Sequence, residues 1–594
     1  MSNQEHVAGM GAIATQEGVA FRVWAPHASS VSVMGSFNEW HNDADLLTAE
    51  DSGYWYGFVA GAKVGDEYKF HLVNGEMQLD KIDPYAHQVT NSIGNGIVYD
   101  HSAFDWQGDD FHCLPHNELV IYELHVGSFT SPDGGLGTFS SLTEKLDHLV
   151  DLGINAIELM PVMEFAGDRS WGYNPAHVFA VESAYGGPDG LKTFIREAHK
   201  RGLAVIVDVV YNHFGPSDLD LWQFDGWSEN DKGGIYFYND WRSSTPWGDA
   251  RPDYGRGEVR QFIRDNAFMW LRDYHADGLR YDMTAYIRSK DVGANDIPEG
   301  MALMAWINSE LRKEFPSEIL IAEDMLNDPN MVGEGEGQAN FHAQWDAAFV
   351  HPVRRLLAAY NDSERSLPEL RGAIEHNYDG HAFSRVVYTE SHDEVANGKA
   401  RTVAEVNPYD QQGWYATKRA TLGTMIALTT PGIPMIFQGQ EFLQGGYFSD
   451  EMPLDWNLNE TYQGIVALHR DVMRLRRNFD DDTRGLRGQG LNVFHGNDDF
   501  KVMAWHRWDA HGTGDDVVVV VNASGETRGN YRIGLPAGGL WELKFNSDAP
   551  LYSPDFGSAE AYDIGAEEQG QDGFDHSGTL NIAPYSMLVY SWKG

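Results

Sequence analysis

Leu203-Ala-Val-Ile-Val-Asp208, continued by Val209-Val-Tyr-Asn-His213, decides the fold. The run is apolar without a break and then closes on an acid. A strand covered on both faces reads this way, as parallel strands under helices do. Working outward, similar runs appear at Val120-Ile-Tyr-Glu-Leu124, Ala156-Ile-Glu-Leu-Met160, Glu318-Ile-Leu-Ile-Ala322 and Ile433-Pro-Met-Ile-Phe437. With Gly278-Leu-Arg-Tyr-Asp282 and runs near 343 and 385, eight candidate strands result. Helix-length stretches separate them, one near 139–151 and an amphipathic one near 188–201. Eight strand–helix units predict a closed parallel (β/α)8 TIM barrel over residues 106–484. Residues 214–255, rich in Asp, Gly, Trp and Tyr, interrupt the rhythm after the third strand and read as a functional excursion.

The flanks keep a different period. Phe21-Arg-Val-Trp24, Val31-Ser-Val-Met34, Tyr54-Trp-Tyr56 and Glu67-Tyr-Lys-Phe70 are short strands with turn residues between them. They predict an N-terminal β-sandwich over 1–105. Val517-Val-Val-Val-Val521 and Met587-Leu-Val-Tyr-Ser-Trp592 predict a C-terminal antiparallel β-domain over 485–594. A chain of 594 residues exceeds one core, so a multi-domain protein is expected.

Charge narrows the function. There are 43 basic and 88 acidic residues, a net charge of −45. Such a surface repels nucleic acid and anionic membranes, so neither is expected as a partner. A neutral substrate suits it. The acidity also fits a salty habitat, where screening removes self-repulsion. The single cysteine, Cys113, excludes an intramolecular disulfide. Neither a secretory leader nor an apolar run of membrane-spanning length is visible, and a cytoplasmic enzyme is expected. No Walker-type phosphate loop or zinc spacing occurs, so no cofactor and no metal is predicted.

Three acids end or follow candidate strands: Asp282, Glu323 and Asp393. A barrel gathers such residues at one mouth. Two carboxylates with a third acid can cleave a glycosidic bond. Arg280 lies two residues before Asp282, on the same face of an extended strand, and is expected to lower its pKa and keep it ionised. Glu323 is expected to have a raised pKa. Asp324 should point the other way and cap the following helix. His213 and His392 are expected as neutral donors to sugar hydroxyls. Tyr173, in Trp171-Gly-Tyr-Asn-Pro175, could stack on a sugar. Trp222, Trp227, Trp241 and Trp247 in the excursion are candidate sugar platforms, with packing equally open for each.

In order and spacing these segments resemble the alpha-amylase family of retaining glycoside hydrolases and transglycosylases. Asp208–His213, Asp277–Asp282, Ile321–Asp324 and Ser391–Glu394 resemble its four signature regions. Phe21-Arg-Val-Trp-Ala-Pro26 and Gly35-Ser-Phe-Asn-Glu-Trp40 resemble the glycogen-binding-type module of branching and debranching enzymes. The resemblance implies a nucleophile at Asp282, a general acid/base at Glu323 and a transition-state stabiliser at Asp393. It implies substrate contacts at Tyr173, Asp208, His213, Arg280 and His392.

Within the family the signals divide. Ser391-His-Asp-Glu-Val395 with Gly398-Lys399, and Pro431–Glu441 with Pro453-Leu-Asp-Trp456, resemble 1,4-alpha-glucan branching enzymes. Val210-Tyr-Asn-His-Phe-Gly-Pro216 and Thr245-Pro-Trp-Gly248 resemble maltooligosyltrehalose trehalohydrolases. The first resemblance implies transfer of a cleaved α-1,4 chain to a 6-hydroxyl. The alternative is a hydrolase, trehalohydrolase-like or amylase-like, on the same scaffold. An alpha-glucan (amylose, glycogen or maltooligosaccharides) is the implied partner in either case.

Overall fold

A computed structural model of the chain describes residues 7–378 and 380–594. Its centre is a closed parallel barrel of eight strands: β1 (Ile121–Leu124), β2 (Ala156–Leu159), β3 (Ala204–Val209), β4 (Gly278–Tyr281), β5 (Ile319–Ala322), β6 (Ala343–Trp345), β7 (Arg385–Val387) and β8 (Ile433–Phe437). β8 closes on β1 with Met435 opposite Ile121. All eight sit where the apolar runs place them. Each is buried along its whole length, which is why the runs are continuous rather than alternating.

One close approach sets the register beside the site. A side chain at Gly278 would place its Cβ 2.5 Å from the Ile319 carbonyl oxygen, so only glycine lets β4 lie against β5 there. Asp208, Arg280 and Ile321 are then cross-strand partners on β3, β4 and β5.

The helices differ in detail from the sequence reading. The stretch near 139–151 is two short helices, Phe139–Thr143 and Leu146–Leu152. Ser141 and Thr138 cap the first, and Gly153 at φ 102° ends the second. The amphipathic helix runs Gly187–His199.

Two antiparallel sheets precede the barrel. One holds Gly11–Thr15, Gly18–Trp24, Thr48–Ala49 and Tyr54–Val59; the other is centred on Ser30–Gly35 and Glu67–Asn74. After the barrel a six-stranded sheet contains Val517–Asn522 and Ser586–Trp592 as direct neighbours. No helix among the described residues is long and apolar enough to cross a membrane.

The excursion 214–255 has almost no regular structure beyond a short turn at Trp241–Ser243. Its anchor is Arg251, fully buried, whose guanidinium donates to the carbonyls of Arg242, Ser244, Ser289 and Lys290 at 2.7–3.2 Å. Four backbone acceptors thus hold a chain that no ladder holds.

Candidate active site

The mouth of the barrel is organised around one cation. Arg280, on β4, is fully buried. Its Nη1 donates to Asp208 Oδ2 at 2.6 Å and to Asp282 Oδ1 at 3.2 Å, and its Nη2 donates to Glu323 Oε2 at 2.5 Å. The guanidinium lies 4.3 Å above the Trp345 ring on β6, a cation–π contact that supports it from below. One fork therefore ties together acids from three strand ends.

Asp282 and Glu323 each extend a strand by one residue, because their N–H groups still donate to the carbonyls of Val209 and Tyr281 on the neighbouring strands. Asn212 Nδ2 donates to Asp282 Oδ2 at 2.6 Å, and the Met283 N–H donates to Glu323 Oε2 at 3.1 Å. Met283 is left-handed (φ 39°, ψ 56°), an unusual state for a non-glycine residue, and this turn aims its N–H at Glu323.

A cavity of about 460 Å³ opens above these groups. Trp171, Tyr173, Trp247, Asp282, Met283, Glu323, His392, Asp393 and Asn397 line it. Asp393 is half-buried and accepts from Asn397 Nδ2 at 2.9 Å. Tyr173 donates to Asp208 Oδ2 at 2.6 Å, and its ring stacks on His392 with centroids 5.0 Å apart. His213 bonds the Tyr173 carbonyl through Nε2 at 2.8 Å and stacks on Trp247 at 4.6 Å. All eight site residues singled out in the sequence thus lie in or directly under one cavity. Asp208, Arg280 and His213 form its supporting layer.

Burial sets the electrostatics, against one expectation. Arg280 was expected to hold Asp282 below the usual carboxylate range. Instead, burial pushes Asp282 up to about 6, because Arg280 is shared with Asp208 and cannot offset it. Burial likewise pushes Asp208 up to about 6 against the same guanidinium. Glu323 rises further, to about 7, through burial and the charges of Asp282 and Asp393, with Arg280 and His392 opposing. Arg280 itself is raised: its carboxylates outweigh its burial.

The two histidines differ in the direction of their pKa shifts. Burial pushes His213 down to about 4, so it is neutral. Burial also opposes charge on His392, but Glu123, 2.5 Å from its Nδ1, outweighs this and raises its pKa. Asp324 corrects a second expectation. It caps no helix; it accepts from Thr284 Oγ1 and pairs with Arg288 at 2.7 Å, fixing the segment after Asp282.

Sequence reasoning missed Glu123, Glu158 and Trp345 as parts of the site's support. Glu123 and Glu158 face each other across β1 and β2. Both are buried, and neither Glu158 oxygen has a hydrogen-bond partner among the described residues. Burial and the Glu123 charge raise the pKa of Glu158, at the barrel centre, well above its ordinary value. A lone glutamate inside an otherwise apolar strand run was the available signal. Of the four tryptophans, Trp247 lines the cavity and Trp241 is exposed, while Trp222 and Trp227 pack against the core.

The family described as "Alpha amylase, catalytic domain" matches residues 121–246 and 216–501. "Carbohydrate-binding module 48 (Isoamylase N-terminal domain)" matches residues 9–86, and "Alpha amylase, C-terminal all-beta domain" matches 494–593. Among curated proteins, the 1,4-alpha-glucan branching enzyme GlgB of Vibrio cholerae is 32% identical over 97% of this chain and 81% of its own length. That of Salinibacter ruber is 29% identical over 98% and 96%. Among solved structures, a pullulanase from Anoxybacillus complexed with maltotetraose superposes with a TM-score of 0.77 at 22% identity, covering 99% of this chain and 88% of that one. Barrel, flanking domains and matched segments agree: the chain is an enzyme of the alpha-amylase family.

Proposed function

We propose that this enzyme is a 1,4-alpha-glucan branching enzyme, organised as an N-terminal glucan-binding module (1–105), a catalytic barrel (106–484) and a C-terminal β-domain (485–594). The observation that carries this reading is the match, over 97–98% of the chain, to relatives that bear that name. The pullulanase likeness, at 22% identity, speaks for the fold alone.

Between the two raised pKa values Asp282 is a carboxylate and Glu323 a carboxylic acid, which are the forms the first step needs. Asp282 attacks the anomeric carbon of an α-1,4-linked glucosyl unit. Glu323 gives its proton to the departing 4-oxygen, and a glycosyl ester on Asp282 results. Asp393 steadies the positive charge of the transition state. Glu323, now a carboxylate, takes the proton of an acceptor's 6-hydroxyl, and that oxygen displaces Asp282. Two inversions give net retention and an α-1,6 branch. Arg280 and Asp208 hold the acids in register, while Tyr173, His213 and His392 bind the sugar or the residues that do.

Hydrolysis on the same scaffold remains the rival, since water in place of the 6-hydroxyl gives it. The Thr245-Pro-Trp-Gly248 segment, which resembles trehalohydrolases, brings Trp247 to the cavity wall. Amylose incubated with the pure enzyme and followed by proton NMR separates the two. New α-1,6 signal with few new reducing ends is expected. Rising reducing ends alone would remove the branching reading. We further place the enzyme in the cytoplasm, where a lone buried thiol such as Cys113 stays reduced. Cell fractionation tests this placement.

A further inference from the structure

The N-terminal module does not merely sit beside the barrel; it grips the excursion. His27 donates its backbone N–H to Asp225 Oδ2 at 3.0 Å, and its ring nitrogen lies 2.9 Å from the same oxygen. The His27 ring stacks flat on Trp227, with centroids 4.5 Å apart and planes 6° apart. The Asp225 side chain is fully buried beneath this contact. Lys81 Nζ donates to the Trp222 carbonyl at 3.1 Å, and the Ile82 N–H donates to Asp220 at 2.7 Å. On the far side of the excursion, Lys232 Nζ bonds Asp249 Oδ2 at 2.7 Å. Two residues before Asp249 stands Trp247, half-exposed, stacked on His213 and lining the cavity beside Asp282. Side-chain contacts joined by short stretches of chain therefore lead from the module, through residues 220–232, to an indole at the reacting centre.

We infer that His27 and Lys232 are positioning residues, through which the N-terminal module sets the place of Trp247 and so the grip of the cavity on glucan. The inference rests on the glucan-active reading of the cavity but not on the choice between branching and hydrolysis. The excursion has no ladder of its own, so its site-facing half takes its position from such side-chain contacts. A flat aromatic at a cavity wall binds a sugar face only when its plane is held, and loss of that hold weakens binding more than chemistry.

The test is a double-mutant cycle on the full-length enzyme, reading consumption of maltohexaose. That substrate is short, so capture of a long chain by the module cannot mimic the effect. His27→Ala and Lys232→Met are each expected to raise KM about 3- to 10-fold and to change kcat less than about 2-fold. Trp247→Ala should raise KM by at least as much. Adding His27→Ala to Trp247→Ala should then change nothing further. Melting temperatures are read alongside, and Lys232→Met serves if His27→Ala loosens the module. Multiplicative losses in the double variant would overturn the inference. So would single variants that lose activity only on amylose, because the module would then act by capturing long chains. If the wild type makes no α-1,6 bonds yet consumes maltohexaose, the branching reading fails and this one stands.

Discussion

Asp282 and Asp346 invite comparison. Each follows a barrel strand directly, each is buried, and each accepts from an arginine, at 3.2 Å from Arg280 and 3.0 Å from Arg385. Yet their pKa values move in opposite directions. Burial acts to raise Asp346, but His376 at 3.0 Å and Arg385 together outweigh it and lower its pKa. Asp282 must share Arg280 with Asp208 and Glu323, and burial wins. An arginine and a histidine on one acid make a structural anchor; three acids on one cation leave protons free to move near neutral pH. The ratio of partners, rather than the presence of an ion pair, separates the reactive region from the structural one.

The comparison can be broken most sharply at Asp282. Asp282→Asn should lower kcat by about 10⁴-fold or more, since the oxygen proposed to attack is gone. The fold should not suffer. A carboxyl whose folded pKa is raised loses stability as pH rises through that value, so at pH 8 this variant should melt no lower than wild type. Unchanged turnover would retire the entire assignment.

Arg280→Lys comes next. A point charge cannot serve Asp208, Asp282 and Glu323 with one planar fork, and kcat/KM should fall by about 10²-fold. A loss under twofold would mean that the acids position themselves.

Asp346→Asn should do the reverse. It leaves Arg385 buried without its carboxylate, at a cost of about 3 kcal/mol in unfolding free energy, while turnover per folded molecule stays within about twofold. The wild-type contribution of Asp346 is present above the ordinary carboxylate range and is lost as pH falls through its lowered pKa. Urea titration at two pH values measures both parts. A variant as stable as wild type would break the contrast.

The smallest effect is the pH profile. The proposed mechanism needs Asp282 ionised and Glu323 protonated. The rate constant kcat/KM should therefore peak between about 6 and about 7 and fall about tenfold per pH unit on either side. Glu323→Gln should abolish the alkaline limb in whatever activity remains. A flat profile from pH 4 to 9 would contradict the shared-cation account.

The eight barrel strands were legible in the sequence because burial on both faces writes an unbroken apolar run, which Ala204–Val209 shows plainly. The acids were legible because each closes or follows such a run. Their protonation was not. Arg280 two residues before Asp282 predicts a lowered pKa, and only the fold reveals that Asp208 and Glu323 compete for the same guanidinium. The upward pull on His392 was hidden for the same reason: its partner Glu123 lies far away in the chain. The break between Phe139–Thr143 and Leu146–Leu152 falls at Glu144-Lys145, residues that carry no helix-stopping signal. The seam between His27 and Trp227 joins segments 200 residues apart and leaves no local trace.

Arg280 contacts acids that belong to β3, β4 and β5 at once. Side chains alternate along a strand, so a slip of one residue in either pairing would turn one of these acids away from the fork. Catalysis then doubles as a checkpoint on assembly. Molecules with a misthreaded barrel would be silent rather than sluggish, and activity per milligram would count correctly built barrels directly.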